Sequence, residues 1–149
     1  MTDRSGLVGH EYPSYSFPVE HGKVREFALA VKNDDPVHHD VEAARAAGYP
    51  HLPVPPTFSA VTSHWAARGG LDVLGLDLKR VLAGGAEWEY LGDIVAGDVL
   101  TVRSRIADVL SKNGSRGPMT LVVTEYTFVN QREETVLRLR STVIELGER

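Results

Sequence analysis

The side chains best suited to chemistry in this sequence stand together in one short run, Asn33-Asp34-Asp35-Pro36-Val37-His38. Histidine titrates near neutrality, so His38 can take a proton from water and hand it on to carbon. The Asn33 carboxamide can orient a water by hydrogen bonds but cannot accept its proton, whereas the Asp34 carboxylate could. Reversible addition of water to an enoyl thioester needs such groups: a water must be activated, a proton must reach the α-carbon, and the enolate-like oxygen must be held. Backbone N–H groups at a helix start can hold that oxygen. Pro55-Pro56-Thr57 reads as such a start, because proline suits the first turn of a helix. The same run also reads as ordinary turn chemistry, with His38 only packing beside it.

A metal site is the competing reading of the histidines. There are six: His10, His21, His38, His39, His51 and His64. Adjacent His38 and His39 point apart on a helix or a strand. No His-x-x-x-His pair and no His-Glu-x-x-His occurs, so neither a metal nor any other cofactor is expected.

These residues need a frame, and composition bounds it. The chain has 149 residues, 42% hydrophobic and 24% charged, which suits one soluble globular domain over residues 1–149. The net charge of -4 and the scatter of Lys and Arg argue against nucleic acid and against a membrane surface. With no cysteine, disulfides, thiolate catalysis and Cys-ligated zinc are excluded. Met1 to Tyr12 holds no apolar leader core, and no run reaches the ~20 apolar residues of a membrane helix. A cytoplasmic protein is the expectation.

Tyr12 to Val19 reads as an edge strand, since Pro13 and Pro18 would spoil a central one. Val24, Phe27, Ala28 and Val31 form one face of a helix over about 22–31. Residues 33–57 lack a sustained period apart from a helical turn around Val41 to Ala47, and loops this long are often functional. Phe58, Val61 and Trp65 give the next helix a buried stripe, and Gly69-Gly70 ends it. His64, Trp65 and Trp88 read as core residues. Four strands follow as a meander. Ala86, Trp88 and Tyr90 alternate with Glu87 and Glu89, then Leu100, Val102 and Ile106 with Arg103 and Arg105. Thr120 to Val129 is a strand by composition, and Leu137, Leu139 and Val143 alternate with Arg138 and Arg140. The four arginines are read as solvent-facing, with a CoA or carrier-protein phosphate as the alternative contact. The expected fold class is α+β: a single hotdog fold, one central helix wrapped by a curved antiparallel sheet. A lone copy leaves a sheet edge open, which favours pairing of two copies.

Phe27-Ala-Leu-Ala-Val-Lys-Asn-Asp-Asp-Pro-Val-His-His-Asp40 resembles the MaoC-like, or R-specific, hydratase/dehydratase family, whose motif is Asp-x-Asn-Pro-[aliphatic]-His with Asp and His as the catalytic pair. The stretches at 7–13, 23–28, 46–50 and 54–58 resemble its N-terminal-domain branch, which includes partner subunits of mycobacterial fatty-acid dehydratases. The resemblance implies the hotdog fold and places His38 on the catalytic histidine and Asp35 on the motif asparagine. Asn33 falls where the motif has its catalytic aspartate, and Asp34 would serve as base only after a one-residue shift. Where that family tends to have His-Gly, with the glycine N–H as oxyanion donor, this chain has Pro55-Pro56; proline has no N–H, so the resemblance implies Thr57 or Phe58 N–H as the substitute donor.

Three functions stay open on this reading. The first is a hydro-lyase of fatty-acyl metabolism, an R-specific enoyl-CoA hydratase or 3-hydroxyacyl-thioester dehydratase. It would act on an acyl-CoA or acyl-carrier-protein thioester through His38, Asn33 and Asp34, with Asp35, Pro36, Thr57 and Phe58 bordering the substrate. The second is a non-catalytic acyl-binding subunit. The partner is accordingly a second copy in a homodimer or a MaoC-like subunit in a heterodimer. The third is a hotdog thioesterase, disfavoured because no Asp or Glu lies between Thr57 and Gly69.

Overall fold

The computed structural model describes residues 4–66, 72–115 and 117–147. Strand β1 (Glu11–Pro18) leads into helix α1 (His21–Ala30), and α2 (Val41–Ala46) follows within the long loop. A central 3-10 helix spans Phe58–Trp65. Strands β2 (Val81–Tyr90), β3 (Val99–Gly114), β4 (Gly117–Val129) and β5 (Thr135–Leu146) complete an α+β arrangement.

The strands form one antiparallel sheet in the order β1-β3-β4-β5-β2. β1 is an edge strand, as its prolines require, with a bulge between Tyr12 and Tyr15. The four later strands are not the simple meander expected from their order. β3, β4 and β5 follow one another, but β2 pairs with β5 at the far edge. Residues 91–98 therefore form a crossover rather than a tight turn. Burial explains it: Ile94 and Ala96 are core residues, and the Asp98 carboxylate accepts from Val95 N–H and from the Gln131 amide. At Gly84-Gly85, β2 is bulged and runs close to β5; a Cβ on Gly84 would lie 2.8 Å from Ile144.

Alternation places the core. Leu100 and Val102 of β3, Phe128 of β4 and Leu137 of β5 turn inward against Phe17 and Phe58. The Phe58 ring meets Phe17 at 6.1 Å and Phe27 at 5.5 Å between centroids, both edge-on, as aromatic quadrupoles prefer. The helix expected at 58–69 is shorter and tighter. Its hydroxyls bond carbonyls three residues back, Thr62 to Ser59 at 2.8 Å and Ser63 to Ala60 at 2.9 Å. Winding at about 3.0 residues per turn puts Trp65 at the end of the Ser59–Thr62 row, where its ring meets Phe17 edge-on at 5.6 Å. Phe58, Ser59 and Thr62 are buried, whereas His64 is exposed and Trp65 is 46% exposed. Trp88, also expected in the core, is 38% exposed. The Gly69-Gly70 stop lies outside the described residues.

Candidate active site

The loop that follows α1 is built by short side chains bonding to nearby backbone. Asn33 Oδ1 accepts the Asp35 N–H at 3.1 Å, and Asp35 Oδ1 accepts the Val37 N–H at 3.1 Å. Asp35 thus caps the single 3-10 turn Pro36–His38, and Pro36 sits in its first position, where a missing N–H costs nothing. His39 Nε2 donates to the Asn33 carbonyl at 2.7 Å, and Asp40 caps α2 through Ala43 N–H. The loop is therefore a wound, internally bonded support.

That support turns His38 inward. The residue is 7% exposed, and its Nδ1 lies 2.8 Å from the Pro53 carbonyl oxygen. A carbonyl can only accept, so Nδ1 carries the proton and Nε2 presents its lone pair. Nε2 has no hydrogen-bond partner among the described residues. A buried imidazole with one nitrogen fixed and the other free is suited to proton transfer.

The other expected site residues divide. Asn33 and Asp35 are joined to each other, and their acceptor atoms serve the turn. Asp34 is exposed. No hydrogen bond among the described residues links His38 to Asn33, Asp34, Thr57 or Phe58; through Pro53 O it is tied to the segment that leads to the central helix. At that helix start, the expected free donors are both engaged. Phe58 N–H donates to Pro55 O at 3.1 Å, closing the turn made by the two prolines. Thr57, in the left-handed region at φ +68°, donates its N–H to the Tyr90 hydroxyl at 3.2 Å.

Tyr90 and Trp88 are the site neighbours that sequence reasoning missed. Alternation put both on one face of β2, but nothing in the sequence says that this face reaches the helix start. Trp88 Nε1–H donates to Ser59 Oγ at 3.0 Å, so two hydrogen bonds pin β2 to the first turn. On the opposite face of the sheet lies a trough of about 960 Å³, lined by Arg103, Arg105, Glu125, Arg138 and Arg140 among others. Alternation along the strands predicts these arginines at the surface, and all four are exposed. Arg105 and Arg140 flank Glu125 at 2.8 and 3.3 Å, and Arg138 meets Glu89 at 3.3 Å, so most of this charge is mutually compensated. None of the trough's lining residues comes from 33–58, and it is a poor match to the chemistry of His38.

Residues 6–139 match the family model described as the FAS1-like, dehydratase domain region. The chain belongs to this family. A UPF0336 protein of Saccharopolyspora erythraea is 37% identical over 144 residues, covering 95% of this chain and 90% of that protein. Among solved structures, the HadBC (3R-hydroxyacyl-ACP dehydratase) complex of Mycobacterium tuberculosis is 28% identical with a TM-score of 0.79, covering 96% of this chain and 98% of that one. A MaoC-like dehydratase is 28% identical with a TM-score of 0.85; the match covers 96% of this chain but 43% of that protein. The helix wrapped by a sheet is thus the hotdog fold of dehydratases, as the loop motif implies. No helix among the described residues is long and apolar enough to cross a membrane.

Proposed function

We propose that this dehydratase-family chain is a single hotdog domain acting as an R-specific enoyl-thioester hydratase and, in reverse, a 3-hydroxyacyl-thioester dehydratase. Its substrate is the acyl thioester of CoA or of a carrier protein. The observation that carries the reading is the His38 imidazole, buried, with Nδ1–H spent on Pro53 O and Nε2 free.

In the hydration direction, Nε2 takes a proton from water as the hydroxide oxygen bonds to the β-carbon. The double-bond electrons move toward the thioester carbonyl, and the imidazolium then returns the proton to the α-carbon. One group serves as base and then as acid, and no proton is gained or lost overall. Asn33 keeps its two amide N–H donors after Oδ1 is given to Asp35, and these orient the water. Asp34 stands beside it as the carboxylate of the loop. Asp35 and Pro36 set the turn that aims His38, and Thr57 and Phe58 border the acyl group.

Two observations favour a second reading, an acyl-binding subunit of a heterodimer. Asn33 stands in place of the motif's aspartate, and the β2 edge exposes Leu82, Trp88 and Tyr90 to a partner. The purified chain incubated with crotonyl-CoA decides between them. The hydratase reading expects (R)-3-hydroxybutyryl-CoA from the chain alone, lost in His38→Ala. Product formed only after co-expression with a MaoC-like subunit supports the heterodimer. Release of free CoA instead would mark a thioesterase.

A further inference from the structure

At the start of the central helix the backbone donors expected to hold an enolate-like oxygen are spent, and Ser59 N–H is the first left without a partner among the described residues. Positions 55 and 56 are prolines without N–H groups. Phe58 N–H is consumed by Pro55 O, and Thr57 N–H by the Tyr90 hydroxyl. A phenol has one proton to give besides the bond it accepts. The Tyr90 hydroxyl accepts from Thr57 at 3.2 Å, and its own proton meets no described residue. Tyr90 is 44% exposed.

We propose that the Tyr90 hydroxyl is an oxyanion donor of this site, taking the place of the backbone N–H that Pro55-Pro56 removes and leaving Ser59 N–H as the remaining backbone donor of the first turn. The inference rests on the hydratase reading above. Thr57 N–H, the phenol and the thioester carbonyl form a relay in which each bond polarises the next. Placement is built in at two points: Trp88 holds Ser59, and Tyr90 holds Thr57, from alternate residues on one face of β2. Thr57 is kept at φ +68°, a conformation that a β-branched residue adopts at a cost, and that strain lies where the donor is positioned. Preorganised donors of this kind act where charge develops, so their removal lowers turnover rather than binding.

Tyr90→Phe removes only the oxygen. Turnover of crotonyl-CoA is expected to fall about a hundredfold with KM little changed. If the wild type binds without turning over, the bound thioester carbonyl is read by 13C NMR. The account then expects a downfield displacement in wild type that is absent in Tyr90→Phe. Equal turnover in both proteins, or equal carbonyl shifts, with only a lower melting temperature in Tyr90→Phe, overturns this inference and leaves the hydratase reading intact. A wild type that neither binds nor hydrates crotonyl-CoA overturns both.

Discussion

Two buried polar centres in this molecule are built on opposite plans. At the site, His38 has one nitrogen bonded and one free. At the far corner, each side-chain nitrogen of Arg4 and each carboxylate oxygen of Glu145 has a partner. Arg4 Nη1 donates to Glu145 Oε2 at 2.7 Å, its Nη2 donates to Gly75 O at 2.8 Å, and its Nε reaches Leu74 O. Glu145 Oε1 accepts Asp77 N–H at 2.8 Å and lies 3.9 Å from Arg80. Burial pushes the Glu145 carboxyl up, but the Asp77 N–H and the Arg4 guanidinium outweigh it and hold the group below the usual carboxylate range. A charge pair left 6% and 5% exposed is tolerable only when its remaining valences are filled. The corner fastens residues 72–80 between the N-terminal segment and β5. A buried nitrogen without a partner at one centre, and a partner on every nitrogen and oxygen at the other, separate the part of the fold that can react from the part that can only hold.

Substitutions at the two centres should therefore fail in different ways. The largest effect is expected for His38→Ala, which should lower hydration by about a thousandfold while the chain still melts cooperatively. Next is Glu145→Gln, which strands Arg4 and should cost roughly 3 kcal/mol in urea unfolding with turnover per folded molecule unchanged. Its pH dependence has a definite sign. The folded carboxyl is held low, so its stabilisation is present above the unfolded value of about 4.3 and fades as pH falls through the lower folded value. The gap between wild type and Glu145→Gln should accordingly narrow in acid; a gap that widens would show the pair to be misread. The smallest effect is expected for Asp35→Ala, which removes the cap of the His38 turn. About 1 kcal/mol of stability should be lost, and His38 should act less efficiently because its support has loosened. If Asp35→Ala leaves turnover untouched, the loop merely fills space.

The contrast also marks what could be read in advance. Strand faces in β3 to β5 follow from the alternation of Leu100, Val102, Leu137 and Leu139 with arginines, and the fold follows from them. The partner of β2 does not: periodicity fixes which face a residue takes, not which strand lies alongside. Trp65 is the last residue of the 3-10 helix, and a stripe at helical spacing does not report that the helix ends there and leaves the ring exposed. At the site, the loop motif identifies His38, but its tautomer depends on Pro53, and the helix-start donors depend on Tyr90, 33 residues further on. Contacts between segments so far apart leave no local trace in sequence.

The central claim is that His38 works in a complete hydratase frame in which Asn33 stands where a carboxylate would be stronger. Asn33→Asp tests it most directly, because an aspartate oxygen can still accept the Asp35 N–H and keep the turn. Assayed beside wild type with crotonyl-CoA, the variant should hydrate faster by about tenfold, a gain lost again when His38→Ala is added. No hydration by either protein, or hydration by both at the same rate, would contradict the account.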